Sequence, residues 1–271
     1  MKVRARWSDR LVGGTALAVY AFVYFPMLVV VLFAFADSTT QTFPIEGFTL
    51  QWFKDGLSDP VLLEAFRNSV LVALAAVAIS TALGVPTAIL VDRYQFPGKI
   101  LLQKFVLLPL ILPGVVTGVA FQSFFVLLGL PRSLWLVALA HGTALTSTVL
   151  TTVYARLLRS DPSIEEASMD LGMNRLQTFW KVTLPGLRTA VIAAALLTFT
   201  LSFDEIPVTI FITGDGGNTL PMVLWSTLRR ASRPEYVAFT VIVMLVGVVV
   251  VMLASRVTED RPPVPVSEAG G

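Results

Sequence analysis

Apolar residues in this chain form long runs, and charged residues fall mainly between the runs. Six runs contain almost no Asp, Glu, Lys or Arg: residues 11–36, 68–91, 105–130, 133–155, 189–214 and 236–255. A helix needs about 20 mainly apolar residues to cross a bilayer. The pattern therefore predicts an all-α, polytopic membrane protein with six transmembrane helices. The first run is too long for the apolar core of a cleaved signal peptide, which spans about 7–15 residues.

Composition supports a single transmembrane domain over residues 1–271. Hydrophobic residues make up 55% of the chain and charged residues 14%, and the mean hydropathy is +0.76. A soluble domain carries about a quarter charged residues. The chain has no cysteine and one histidine, so we expect neither disulfides nor a metal site.

The basic residues predict the orientation in the membrane. With the N-terminus in the cytoplasm, 14 of the 20 Lys and Arg residues lie on the cytoplasmic side. Cytoplasmic loops carry an excess of Lys and Arg, so both termini are expected to be cytoplasmic. This topology also explains the net charge of +2, which therefore gives no reason to expect a nucleic-acid partner. The Pro-rich segment 257–271 is expected to be a flexible tail.

Two prolines interrupt the third apolar run. Pro109 and Pro113 each lack a backbone N–H and break the local ladder of helical hydrogen bonds. Membrane helices tolerate such interruptions where the freed carbonyls face protein or a wet cavity. From the sequence alone, a simple kink and a break of this kind are both open.

The polar segment 161–186 carries the signals of a short helix followed by a sharp turn. Asp161-Pro162 is a cap residue followed by proline, and Ser163 with Glu166 has the spacing of a capping box. Either pattern starts a helix here. Gly172 is expected to end it, with a positive φ angle.

A second short helix is predicted directly after this glycine. Asn174 is a suitable cap residue, and Leu176, Phe179 and Trp180 follow at the spacing of one helical face. Pro185 is expected to end this helix. The residues alone leave two interpretations open, an inert cytoplasmic loop and a docking element for a soluble partner.

The same segment resembles the EAA motif of ABC-importer permeases. "EASMDLG" is followed after nine residues by "VTLP". The matching positions are Glu166, Ala167, Gly172, Val182, Leu184 and Pro185. Ser168 stands where the motif has a second alanine. The family has six helices with this motif between the fourth and fifth, as predicted here, so the resemblance implies the type I ABC-importer permease fold over nearly the whole chain.

The resemblance implies that segment 161–186 is a coupling loop that contacts a dimer of ATP-binding subunits. Its expected coupling residues are Glu165, Glu166, Ala167, Ser168, Gly172, Leu184 and Pro185. This chain contains no phosphate-binding G-x-x-x-x-G-K-[ST] loop. The chain is therefore expected to be a transport subunit with no enzyme activity and no cofactor of its own, while ATP and Mg²⁺ bind to the partner ATPase.

Two acids lie deep in the fifth apolar run, at Asp204 and Glu205. A charged side chain at membrane depth is costly and usually faces a cavity, a partner or a transport pathway. The alternatives are a gate and a structural ion pair with an arginine of a partner subunit. We expect Asp204, rather than Glu205, to face the pathway.

Around these acids, the chain resembles the second permease subunit of spermidine/putrescine importers. It reads Ser202-Phe203-Asp204-Glu205, then Phe211-Ile212-Thr213-Gly214. This resemblance implies polyamine transport across a bacterial inner membrane, with a second, homologous permease, an extracytoplasmic substrate-binding protein and surrounding lipid as partners. It also implies an ammonium cargo, to which Phe203 or Trp225 would supply cation–π contacts. Pro207 departs from the β-branched continuation of that family. Aminoalkylphosphonate, an amino-acid-like compound, thiamine or iron are alternative cargoes.

The remote alternative is an intramembrane enzyme. His141, Asp204 and Glu205 are its only candidate groups at membrane depth, and they show no catalytic-triad spacing. His141 is expected to be a hydrogen-bonded histidine within the helix bundle.

Overall fold

The computed structural model describes the backbone of residues 7–214, 217–228 and 233–258, and the side chains of 11–214, 217–227 and 233–253. The helices are α1 Trp7–Ala34, α2 Gln51–Ser58, α3 Pro60–Arg93, α4 Lys99–Ile111, α5 Gly114–Leu127, α6 Leu134–Ala144, α7 Thr146–Leu157, α8 Ser163–Asp170, α9 Arg175–Thr178, α10 Leu184–Phe203, α11 Thr209–Ile212, α12 Leu220–Leu228 and α13 Pro234–Thr258. Within these residues the only β-pairing is a bridge between Ala36 and Phe48. The all-α prediction is confirmed.

Five parts of the described chain are long and apolar enough to cross a membrane: Leu11–Ala34, Pro60–Arg93, Leu134–Leu157, Arg175–Phe203 and Pro234–Leu253. The bent pair α4 and α5 makes a sixth if it is counted as one span. The predicted count of six is therefore reached only with this pair. Most of the predicted tail, beyond Thr258, lies outside the described residues.

The third predicted span is broken at its second proline. Helices α4 and α5 meet at an angle of 113°. Pro109 remains inside α4, whereas Pro113 is the cap residue of α5. Leu112 and Pro113 are extended, because a residue before proline is pushed out of the helical region and proline itself cannot continue the ladder. The break is thus the correct alternative, and the simple kink is not.

The fifth predicted span is shifted toward the N-terminus. The sequence predicted residues 189–214, but the helical path runs over Arg175–Phe203. It passes from α9 through a π-helical turn at Phe179–Thr183 into α10. The prediction that Pro185 ends a helix was wrong, because this proline lies in the first turn of α10. The wider π-helical turn directly before it accommodates the missing N–H.

The chain divides into two compact units. One comprises residues up to 63 together with 224–250, and thus α1, α2 and most of α13. Its core joins Ala34, Ala238 and Val241 to the side chains of Trp52 and Phe53. Trp52 lies on α2, and its indole Nε1 donates a hydrogen bond to the Ala36 carbonyl at 2.9 Å.

The second unit comprises residues 64–223 and the described residues after 250, and it contains the polar segment 161–186 and the acids Asp204 and Glu205. Two glycines bring its helices into close contact. A Cβ atom at Gly84 would lie 2.7 Å from Val149 Cβ, and one at Gly142 would lie 2.6 Å from Ile79 Cβ. Helix α3 therefore packs against α6 and α7 at distances that only glycine permits. Around Val149 the core includes Val85, Ala88, Leu150, Val153, Leu157, Leu187 and Ala194.

Candidate functional site

Segment 161–186 begins with the Asp161 side chain, which accepts a backbone hydrogen bond at the start of α8. The Ser163 N–H donates a hydrogen bond to Asp161 Oδ1 at 2.9 Å. This bond stabilises the carboxylate and lowers the pKa of Asp161 below its ordinary value. Of the two predicted start signals, the structure uses Asp161-Pro162. The Ser163–Glu166 capping box is not formed, since no side chain caps the helix at its cap residue, Pro162.

Gly172 ends α8 as predicted. Its φ angle is +92°, its N–H donates to the Met169 carbonyl at 2.9 Å, and the Met173 N–H donates to the Ser168 carbonyl at 3.2 Å. These two bonds form a Schellman motif, which satisfies carbonyls at the helix end and requires a left-handed residue. Glycine adopts that conformation without the strain of a Cβ atom.

A capping box starts the second helix of the loop. Asn174 Oδ1 accepts from the Gln177 N–H at 2.9 Å, and Gln177 Oε1 accepts from the Asn174 N–H at 3.0 Å. The predicted cap at Asn174 is confirmed, with Gln177 as its partner. Two reciprocal bonds fix the direction in which the chain leaves the turn at Gly172.

The two helices of the loop are joined through buried hydroxyl groups. The Oγ atom of Ser168 lies 3.0 Å from Oγ1 of Thr178, and both residues are buried. An alanine at position 168 could not make this bond. The structure therefore explains the departure from the EAA motif, and it places Ser168 against α9 instead of on the surface expected to contact the ATPase.

The two adjacent glutamates have different environments. Glu165 Oε1 accepts from Arg93 Nη2 at 3.1 Å, and its side chain is partly buried. The side chains of Glu166 and Ala167 are exposed. The loop also exposes large apolar side chains, with 85% of Leu171, 68% of Leu176 and 60% of Trp180 accessible. We call these three residues together with Ile164 the apolar loop face.

The acids of the fifth span lie just beyond its helix. Helix α10 ends at Phe203, and Asp204 is its C-terminal cap residue, with φ −95° and ψ 4°. The Asp204 side chain is exposed. The expectation that both acids lie within a helix was wrong, because residues 204–208 form a link to the short helix α11. Pro207 accounts for the link, since it supplies no N–H and disfavours a helical conformation at Ile206.

Glu205 is held inside this link. Its Oε1 accepts from the Val208 N–H at 2.8 Å, at the start of α11. A Cβ atom built at Gly114 would lie 3.5 Å from the same Oε1 atom. Glu205 thus lies beside the first residue of α5, where the helix dipole favours a negative charge. Asp204 is the exposed acid of the pair and Glu205 the partly buried one.

The two helix breaks contact each other. A Cβ atom at Gly114 would lie 3.0 Å from Pro207 Cβ, and one at Gly118 would lie 2.8 Å from Phe211 Cδ2 and 2.9 Å from the Pro207 carbonyl. This contact was not predicted from the sequence, although the G-x-x-x-G spacing of these glycines is a known signal of close helix approach. The break at Pro113 and the link 204–208 therefore support each other.

His141 joins both sides of the link, as a buried residue of α6. Its Nδ1 lies 2.9 Å from Ser202 Oγ, and its Nε2 lies 3.2 Å from Thr209 Oγ1. The prediction of a hydrogen-bonded bundle histidine is confirmed. Among the residues that the structure describes, no three His, Asp or Glu side chains are grouped as a metal would require.

A cavity of about 220 Å³ lies beside the link. Its polar lining comes from Glu205, His141, Thr117, Ser147 and Thr148. Phe203 does not line it and instead contacts the rings of Phe66 and Phe199, with centroids 6.1 and 5.9 Å away. Trp225, on α12, belongs to the first unit and is 44% exposed.

Comparison with known proteins identifies the family. Residues 80–262 match the family described as binding-protein-dependent transport system inner membrane component. The chain belongs to this family. It is a permease subunit of an ABC importer, as the resemblance to the EAA motif implied, and its place in the inner membrane agrees with its apolar helices. Its relatives are transport permeases, and such permeases work with substrate-binding proteins and ATPases.

Curated relatives of this permease include carriers of different cargoes. The spermidine/putrescine permease PotC of Escherichia coli K12 is 30% identical, over 92% of this chain and 94% of its own length. The putrescine permease PotI of the same strain is 33% identical, over 89% and 90%. The sulfate permease CysT of Salmonella typhimurium is 31% identical, over 77% and 78%.

Solved structures share the fold of this permease. A chain of a bacterial importer of the acidic polysaccharide alginate matches with a TM-score of 0.65 at 16% identity, covering 96% of this chain and all of that one. The alginate transporter in complex with its pentasaccharide-bound periplasmic protein matches over the same shares with a TM-score of 0.73 at 15% identity. The type I importer fold is therefore confirmed.

Proposed function

We propose that this permease carries polyamines, or a related cationic amine, through a pathway that includes the Asp204 carboxylate. The proposal is supported by the identity to PotC and PotI over about nine-tenths of the chain. It is also supported by the chemistry of the site, since a carboxylate is the natural counter-charge for an ammonium group.

The proposal rests mainly on the different environments of the two acids. Glu205 accepts a hydrogen bond from the chain itself, whereas the Asp204 side chain is exposed and has no ion-pair partner in the described part of the protein. A carboxylate in a low-dielectric region is costly unless a cation or water compensates it. Water or a neighbouring permease would compensate Asp204 in the empty transporter, and the cargo would do so in transit.

The coupling loop and Asp204 are joined by one helical path. Arg175–Phe203 runs without interruption from the capped turn of the loop to the residue before Asp204. We propose that the apolar loop face and Glu166 sit in a cleft of a cytoplasmic ATPase, which binds ATP and Mg²⁺. When two such ATPases close, displacement of the loop would reach the acidic link as a rigid-body movement.

The proposed complex contains one copy of this chain, one homologous but different permease, an ATPase dimer and an extracytoplasmic binding protein. Both termini of this chain would lie in the cytoplasm, in keeping with its basic residues. The mass of the intact complex tests this composition. A stable homodimer of this chain with full transport activity would refute it.

Uptake by the reconstituted complex tests the cargo. Vesicles containing the complete importer should accumulate labelled spermidine or putrescine when ATP is supplied, and should not accumulate labelled sulfate. Uptake of thiamine, iron, an aminoalkylphosphonate or an amino-acid-like compound in place of polyamines would retain the permease role and refute the polyamine proposal.

A further inference from the structure

The ion pair between Arg93 and Glu165 connects the coupling loop to a second spanning helix. Arg93 is the last residue of α3, and Glu165 lies in the first turn of α8, 72 residues later. Arg93 Nη2 lies 3.1 Å from Glu165 Oε1, while Nη1 lies 3.0 Å from Asp92 Oδ2. The guanidinium group is thus held by a carboxylate on each side.

The burial of this cluster sets it apart from an ordinary surface pair. The exposed fractions of the side chains are 17% for Arg93, 10% for Asp92 and 21% for Glu165. Fully exposed pairs contribute little and are screened by salt, whereas a partly buried pair is screened much less and its hydrogen bonds are directional. The pair therefore fixes the distance between the end of α3 and α8.

Helix α3 is suited to transmit a displacement. It is one continuous helix over 34 residues, which corresponds to a length of about 50 Å. Its contacts at Gly84 and at Ile79 leave no room for sliding against α7 and α6. A displacement at Arg93 would therefore move α3 together with the helices packed on it.

We infer that Arg93 and Glu165 form a link that makes α3 follow the coupling loop, and that Glu165 positions the loop instead of contacting the ATPase. The inference rests on the proposed docking of the loop to an ATPase. Without the link, the loop would act on the spans only through its chain connections to α7 and α10. With it, the loop also acts on α3, which has no direct chain connection to α8.

The first test measures coupling in the complete importer. Glu165→Gln and Arg93→Gln each remove one charge of the pair, and the double variant Arg93→Glu with Glu165→Arg exchanges the two charges. Asp170→Asn is the matched control, because Asp170 is an exposed acid of the same helix with no ion pair among the described residues. The readouts are the amount of ATPase that co-purifies and the cargo transported per ATP hydrolysed.

We expect both single variants to retain the ATPase but to transport about fivefold less cargo per ATP, since coupling between sites typically amounts to at least this factor. The exchanged pair should recover most of the loss, and Asp170→Asn should match the wild type. Unchanged coupling in both single variants would overturn the inference. So would loss of the ATPase in Glu165→Gln but not in Arg93→Gln, because Glu165 would then be a contact residue.

The second test measures the distance directly, and the absence of cysteine from the sequence allows specific labelling. Spin labels at Tyr94→Cys and Asp170→Cys report the separation of the end of α3 from α8. The distance should be the same in the nucleotide-free and ATP-trapped complex, and its distribution should broaden in the Glu165→Gln background. A shift of several ångströms with the pair intact would refute the link. A wild-type complex without any ATPase would instead refute the proposed docking.

Discussion

The contact between the two helix breaks gives the sharpest prediction, because the space for an added methyl group is known at each glycine. Gly118→Ala places a methyl group 2.8 Å from Phe211 Cδ2 and 2.9 Å from the Pro207 carbonyl. Both distances are shorter than real Cβ contacts, so the link 204–208 has to move. Gly114→Ala meets Pro207 at 3.0 Å, a milder conflict. Gly247, in the spanning helix α13, has no atom within 4 Å of the built Cβ position.

The magnitudes follow from two opposing effects. Overpacking a close contact costs about 1–3 kcal/mol, whereas alanine in place of glycine within a helix gains about 0.5–1 kcal/mol. We therefore expect Gly118→Ala to lower the free energy of unfolding by about 1–2 kcal/mol. Gly114→Ala should be close to neutral, and Gly247→Ala should be neutral or slightly stabilising.

Denaturant titration of each purified variant in detergent measures its free energy of unfolding and so tests the predicted order of stability. Uptake in vesicles should fall for Gly118→Ala, because the displaced link carries Asp204. Gly247→Ala serves as the control for the glycine-to-alanine change itself. If Gly118→Ala proved as stable as Gly247→Ala and transported cargo at the wild-type rate, the close approach of the two breaks would be refuted.

Four further variants test the acids and the loop. Asp204→Asn should sharply reduce polyamine uptake while leaving the complex intact. Glu205→Gln should reduce uptake less, because its amide oxygen can still accept a hydrogen bond from the Val208 N–H. Equal uptake by Asp204→Asn and the wild type would remove Asp204 from the pathway. Ser168→Ala should destabilise the loop by about 1 kcal/mol, because it leaves the Thr178 hydroxyl unpaired. Amide hydrogen exchange of the loop measures this loss, and unchanged exchange would show that the bond is unimportant. Gly172→Leu should destabilise the left-handed turn by about 1–2 kcal/mol, so less ATPase should co-purify with the complex. Normal co-purification together with normal transport would argue against a coupling role for this loop.

The elements that the sequence predicted well depend on local physics. The long apolar runs identify the spans because a lipid environment requires a continuous apolar helix with internally satisfied backbone bonds. Asn174 and Gly172 identify the helix ends in the loop because caps and left-handed turns involve only a few neighbouring residues. The EAA motif then indicated the family, which the match over residues 80–262 confirms.

The two errors in the prediction both involve a proline, and the two prolines have opposite effects on the helix. The apolar run continues from residue 189 to 214, so hydropathy alone predicts one helix there and does not reveal the non-helical link at 204–208. Pro207 was a signal of that link. The sequence predicts a helix end at Pro185, but a π-helical turn before this proline lets the helix continue. A proline restricts the backbone in both cases, and the surrounding residues decide whether the helix stops.

Only the tertiary structure decided which polar groups meet. The sequence shows Glu165 beside Glu166 but gives no sign that Arg93, 72 positions earlier, binds the first and leaves the second exposed. It shows His141 without its partners Ser202 and Thr209, which lie 61 and 68 positions away. Hydropathy and caps are properties of neighbouring residues, so the sequence determined the spans, the loop and the family. The partners of buried polar side chains depend on how the helices pack, because a single hydrogen bond of about 3 Å requires positions that no local pattern specifies.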